Sequence, residues 1–109
     1  MFDSDGQTGA FFVDNDGIDL ELNHLILQNT SDNEAGGAVY FNGDGHLTIR
    51  NSIVRANDSH DATVTVNHYG ATVTIEGSTF FGITSHTANG GAIYSAANIS
   101  IDDSTFTSN

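Results

Sequence analysis

The 109-residue chain predicts an all-β solenoid of about four coils, each of roughly 26 residues, and three observations carry that expectation. An apolar, polar, apolar triplet recurs at nearly even spacing as Leu20-Glu21-Leu22, Leu47-Thr48-Ile49, Val73-Thr74-Ile75 and Ile99-Ser100-Ile101. A further apolar residue, Leu27, Val54, Phe80 or Phe106, follows each triplet at one constant offset. Finally, 12 Gly, no Pro and many Asn, Ser and Thr favour strands and turns over helices.

Each triplet reads as a strand with one buried face, because successive side chains on a strand alternate sides. Leu20 and Leu22 therefore point inward and Glu21 outward. Units of this length are too short for strands joined by crossover helices, but they suit coils with several short strands per turn. Stacked at about 4.8 Å, equivalent residues pile up in columns. The columns Leu20/Leu47/Val73/Ile99 and Leu22/Ile49/Ile75/Ile101 are aliphatic, and Leu27/Val54/Phe80/Phe106 is partly aromatic. Leu25 in the first unit, and Ser52, Ser78 and Ser104 in the others, stand between the triplet and that following apolar residue. One coil alone cannot bury its inner face, so stability comes from coil-on-coil contact. Residues 1–109 form one such segment, with coils at approximately 9–35, 36–60, 61–89 and 90–109.

Charge narrows the partners. Two Arg, no Lys and 14 Asp plus Glu give a net charge of −12, which repels nucleic acid and disfavours anionic lipid. Protein or glycan surfaces remain as ligands, and exposed coil ends invite self-association. No Cys is present, so neither disulfides nor thiolate metal sites hold the fold. The start, Met1-Phe2-Asp3-Ser4-Asp5, lacks the basic and apolar regions of a signal peptide, and no stretch approaches membrane-spanning length. The closing Thr105-Phe106-Thr107-Ser108-Asn109 ends a repeat unit abruptly, so a fragment of a longer chain is the expectation.

Two further motifs recur. Gly36-Gly37-Ala38-Val39-Tyr40 and Gly90-Gly91-Ala92-Ile93-Tyr94 each follow a Thr-Ser pair, and Phe106-Thr107-Ser108-Asn109 is matched by the looser Val54-Arg55-Ala56-Asn57. In these motifs, over roughly residues 9 to 109, the sequence resembles the polymorphic outer-membrane protein repeats of bacteria. Their signatures are Gly-Gly-Ala-aliphatic and Phe-x-x-Asn. The resemblance implies a right-handed parallel β-helix carried to the bacterial surface or secreted, often as an autotransporter passenger and in some members as an adhesin. The structural motif residues it marks are Gly36, Gly37, Ala38, Val54, Asn57, Gly90, Gly91, Ala92, Phe106 and Asn109. This sequence departs from the pattern at Asp61-Ala62-Thr63-Val64, and where units one and three end in Leu27-Gln28-Asn29-Thr30 and Phe80-Phe81-Gly82-Ile83.

Candidate chemistry is sparse. Asp14, Asp16 and Asp19, in Asp14-Asn15-Asp16-Gly17-Ile18-Asp19, are calcium candidates because clustered carboxylates suit a hard cation. The EF-hand register fails, since Gly17 at its sixth position puts Phe12 first and Asn23 last; a solvated Gly/Asp turn is the preferred reading. His60 and His86 lie one period apart and are transition-metal candidates, weighed against plain turn residues. Asp102-Asp103 is the one adjacent acidic pair near a strand, and neighbouring strand residues face opposite ways. No catalytic residue is assigned, and no cofactor beyond candidate calcium is implied. The column Glu21/Thr48/Thr74/Ser100 forms a hydroxyl-rich outer face, read as solvated surface.

The expected function is a structural or adhesive repeat segment of a bacterial cell-surface or secreted protein, located outside the cell and without chemistry of its own. The alternative is a partial piece of a carbohydrate-active β-helix enzyme, a polysaccharide lyase or hydrolase.

Overall fold

The computed structural model describes residues 2–3, 11–28, 31–32, 38–55, 58–59, 63–85 and 92–107. A short strand β1 (Phe2–Asp3) comes first. A set of four follows: β2 (Phe11–Val13), β3 (Leu20–Asn23), β4 (Ile26–Gln28) and β5 (Ser31–Asp32). The second set is β6 (Val39–Phe41), β7 (His46–Arg50), β8 (Ile53–Arg55) and β9 (Asp58–Ser59). The third is β10 (Val64–Val66), β11 (Thr72–Glu76), β12 (Thr79–Phe81) and β13 (Thr84–Ser85). The last holds β14 (Ile93–Ser95), β15 (Asn98–Asp102) and β16 (Thr105–Thr107), and no helix occurs among the described residues.

These strands build four parallel sheets, ordered β2-β6-β10-β14, β3-β7-β11-β15, β1-β4-β8-β12-β16 and β5-β9-β13. Among the described residues, consecutive strands never pair. Apart from β1, which pairs with β4, each strand joins the one four places further along the chain. The chain therefore returns to each sheet after roughly one repeat.

The pairing register is the one that the sequence predicts. Leu20, Leu47, Val73 and Ile99 are successive partners, as are Leu22, Ile49, Ile75 and Ile101. Leu27, Val54, Phe80 and Phe106 pair likewise in the third sheet. Alternation puts these side chains inside, where Leu22, Leu27, Leu47, Ile49, Val54, Val73, Ile75 and Phe80 are almost wholly buried. The first sheet adds Val39, Phe41, Val64 and Val66 to the same core. Between stacked rings, Phe80 and Phe106 lie 4.7 Å apart, centroid to centroid, at 7°.

One corner repeats in every coil. His24, Asn51, Gly77 and Asp103 link the second sheet to the third, and their φ angles are 57, 52, 55 and 49°. A left-handed residue there turns the chain sharply, and Asn, Asp and Gly tolerate that conformation best. The residue after it carries the serines. Ser52 N donates to Ser78 Oγ at 3.2 Å and Ser78 N to Ser104 Oγ at 3.1 Å, while Leu25 N donates to Ser52 Oγ at 3.2 Å. Each hydroxyl also donates within its own coil: Ser52 to Arg50 O, Ser78 to Glu76 O and Ser104 to Asp102 O, each at 2.9 Å. Ser52 and Ser78 are buried, so this ladder satisfies corner amides that no strand partner reaches.

Exposure differs between the first and the last coil. Leu22 and Leu27, in the first complete coil, are 2 % and 0 % exposed, and β1 lies on β4. In the last coil Ile99, Ile101 and Phe106 are 36, 48 and 37 % exposed. Among the described residues the set β14, β15 and β16 is the more exposed, while β2 and β3 at the opposite edge likewise have no strand beyond them.

Candidate functional site

The links from the first sheet to the second form a row of loops along one edge, residues 14–19, 42–45 and 67–71, closed by the short link 96–97. Here the calcium candidates are found. Asp14 Oδ1 accepts from Asn42 Nδ2 at 2.8 Å, and Asp16 Oδ1 accepts from Asp44 N at 3.2 Å. Asp19 Oδ1 accepts from His46 N at 3.1 Å and lies 2.9 Å from His46 Nδ1, which carries the proton of that contact because an ionised carboxylate only accepts. In the reverse direction Gly17 N donates to Asp44 Oδ1 at 2.7 Å. The three carboxylates thus face the neighbouring loop one coil on.

That geometry makes the Asp residues clamps between stacked loops. Side-chain and backbone hydrogen bonds from His46 hold the Asp19 carboxyl below its ordinary value of 3.8. His68 Nε2 stands 3.8 Å from Asp16 Oδ1, two coils away. Among the described residues no three His, Cys, Asp or Glu side chains are grouped to hold a metal ion. Gly45 lets the loops approach: a Cβ there would collide with the Ile18 carbonyl.

The remaining candidates divide by position. His60, His86, Gly36, Gly37, Asn57, Gly90, Gly91 and Asn109 lie outside the described residues. Ala38 and Ala92 are buried immediately before β6 and β14, with Thr63 in the same position before β10. Backbone bonds tie these positions together: Ala38 N donates to Thr63 O, and Val64 N, next to Thr63, donates to Ala92 O, both at 2.9 Å. Thr63 Oγ1 is buried and makes no hydrogen bond. Val54 is wholly buried in the core and Phe106 is 37 % exposed in the last coil. Asp102 pairs with Glu76 on the second sheet, and Asp103 occupies the left-handed corner, so the acidic pair is split between strand and turn. The hydroxyl column Glu21/Thr48/Thr74/Ser100 is in register on the outer face of that sheet.

Two outer-face features escape the sequence reading. Arg50 Nη1 donates to Glu21 Oε1 at 3.2 Å and Arg50 Nε to Glu76 Oε2 at 3.1 Å, so one guanidinium links three coils. Phe12, Tyr40, Thr65 and Tyr94 form a column on the first sheet, with the Phe12 and Tyr40 rings stacked at 4.9 Å. Phe12 is 69 % and Tyr94 38 % exposed, which makes this the aromatic face of the molecule. The opposite charges of Glu21 and Glu76, about one repeat to either side of Arg50, signal the first feature. Members of the aromatic column are unevenly spaced along the chain, so a search at one fixed period passes over them.

Compared with family models, curated proteins and solved structures, the chain matches none.

Proposed function

We propose that the chain is a run of right-handed parallel β-helix coils, of the kind found in polymorphic outer-membrane protein repeats. It acts as a stiff structural or adhesive segment of a bacterial surface or secreted protein. The observation that carries the reading is the pairing of each strand with the one four places on, in parallel and at the repeat spacing. Such a fold extends by adding coils and presents the same faces at every level, which suits a spacer or display scaffold.

The distribution of chemistry supports the same role. Asp14, Asp16, Asp19, Arg50 and the corner serines are all engaged in joining one coil to the next. The variable loop row and the aromatic outer face of the first sheet are the surfaces available to protein or glycan ligands. Strong negative charge keeps nucleic acid and anionic membranes away from them.

Antibodies raised against the chain test the location. Staining of intact cells of the producing bacterium, or recovery from its medium, is expected; staining only after permeabilisation contradicts the reading.

A further inference from the structure

We propose that Asn42 is a self-modification site, at which the Gly43 backbone nitrogen attacks the Asn42 side chain, expels ammonia and unlocks one clamp of the loop row. Among the described asparagines Asn42 alone precedes a glycine, the neighbour that least hinders such an attack. Loop packing makes that glycine obligatory. Gly43 is buried, and a Cβ there would run into the Asn15 carbonyl of the preceding coil. The same packing leaves the nucleophile untied. Asn42 N donates to Val13 O at 2.7 Å and Asp44 N to Asp16 Oδ1 at 3.2 Å, whereas Gly43 N, between them, donates no hydrogen bond to another described residue.

The clamp restrains the electrophile. Asn42 is half-buried, and its Nδ2 donates to the exposed Asp14 Oδ1 at 2.8 Å, which holds the side-chain amide against the neighbouring loop. When the amide leaves that carboxylate, a bond forms between Gly43 N and Asn42 Cγ. The bond from Cγ to Nδ2 breaks, and the amide departs as ammonia with the proton lost by Gly43 N. Water then opens the cyclic imide. Opening at Cγ gives aspartate with the ordinary backbone, and opening at the backbone carbonyl gives isoaspartate, with the chain running through Cγ. No oxidant, reductant or metal is needed.

Either product reverses the clamp. An ionised carboxylate only accepts hydrogen bonds, so position 42 and Asp14 repel where a donor met an acceptor. Isoaspartate also adds a methylene to the backbone of a loop in which Gly43 and Gly45 have no room for a Cβ against Asn15 and Ile18. Two residues on, Asp44 is tied to the same neighbouring loop through Gly17 N and Asp16 Oδ1, so these contacts loosen with it. The residues that bind the loops together thus form a slow one-way switch that opens them and adds a negative charge. The inference rests on the loop geometry and not on the proposed surface role.

Mass spectrometry of the folded chain, aged at mildly alkaline pH, tests it. Arg50 and Arg55 are the only Lys or Arg residues, so cleavage after them isolates a fragment, residues 1–50, in which Asn42-Gly43 is the single Asn-Gly pair. That fragment is expected to gain the mass of an amide-to-acid change, with isoaspartate at position 42, and the gain should vanish in Asn42→Gln. Asp14→Ala frees the amide and is expected to react several-fold faster. Asn42→Asp, which imitates one product, should lower the urea midpoint, and hydrogen exchange at Gly17 N and Asp44 N should quicken. Circular dichroism checks that each variant is folded. An unchanged fragment mass in the folded chain, or a gain that persists in Asn42→Gln, overturns the site. Equal rates with and without Asp14 overturn the restraint, and an unaltered midpoint and exchange in Asn42→Asp overturn the switch.

Discussion

Phe80 and Phe106 stack with planes 7° from parallel and centroids 4.7 Å apart, although a full coil of chain separates them. Phe80 has neighbours on both sides, with Val54 beneath it, whereas Phe106 has one among the described residues. Phe80→Ala is therefore expected to destabilise by about 3 to 5 kcal/mol, and Phe106→Ala by less than half as much. Urea denaturation of the two variants measures the difference; equal losses contradict nearest-neighbour stacking.

Thr63 stands where Ala38 and Ala92 stand in the neighbouring coils, and its buried hydroxyl has no partner. A desolvated, unpaired hydroxyl costs about 1 to 3 kcal/mol. Thr63→Val keeps the volume and removes the oxygen, so it is expected to stabilise the chain by about 1 kcal/mol. A lower denaturation midpoint for this variant contradicts the assignment.

The corner ladder predicts a different loss. Ser78→Ala removes an acceptor for Ser52 N and a donor to Glu76 O, both at a buried site, and should cost about 1 to 3 kcal/mol. Gly77→Ala combines a φ of 55° with a Cβ placed 2.8 Å from Asn51 Oδ1 and should also destabilise. Asn51→Gly relieves the left-handed residue and is expected to be tolerated. Thermal unfolding of the three variants gives the order; a neutral Ser78→Ala contradicts a stabilising ladder.

Asp19 makes one part of the stability depend on pH. Its folded pKa is depressed by hydrogen bonds from His46, so its contribution is complete above the unfolded value, near 3.8, and disappears as pH falls through the lower folded value. Titration followed by carboxyl-carbon NMR should show Asp19 ionising below its ordinary range, and the value should rise in His46→Ala. An unchanged Asp19 titration in that variant would falsify the clamp.

The parts of the fold legible in the sequence are those where coil length does not vary. The corners between the second and third sheets, at 24–25, 51–52, 77–78 and 103–104, are all equally short, so the triplet and the apolar residue that follows it stay aligned. The loops before the second sheet run over 14–19, 42–45, 67–71 and 96–97, and their unequal lengths move the Phe12/Tyr40/Thr65/Tyr94 column off a fixed period. Legible too is the alignment of Ala38 with Ala92, because Gly-Gly-Ala-aliphatic marks it directly, whereas Thr63 lies where the sequence departs from that motif. The Asp residues are visible as a cluster but not as clamps. Their partners, Asn42, Asp44 and His46, sit one coil away, and only stacking turns the carboxylates toward them.

Parallel pairing at one repeat is the central claim, and backbone nuclear Overhauser contacts test it most directly. Amide-to-Hα contacts are expected to join β7 to β11 and β11 to β15, between residues one repeat apart, such as Val73 with Leu47 and with Ile99. Antiparallel contacts between consecutive strands, β7 with β8 or β11 with β12, would contradict it.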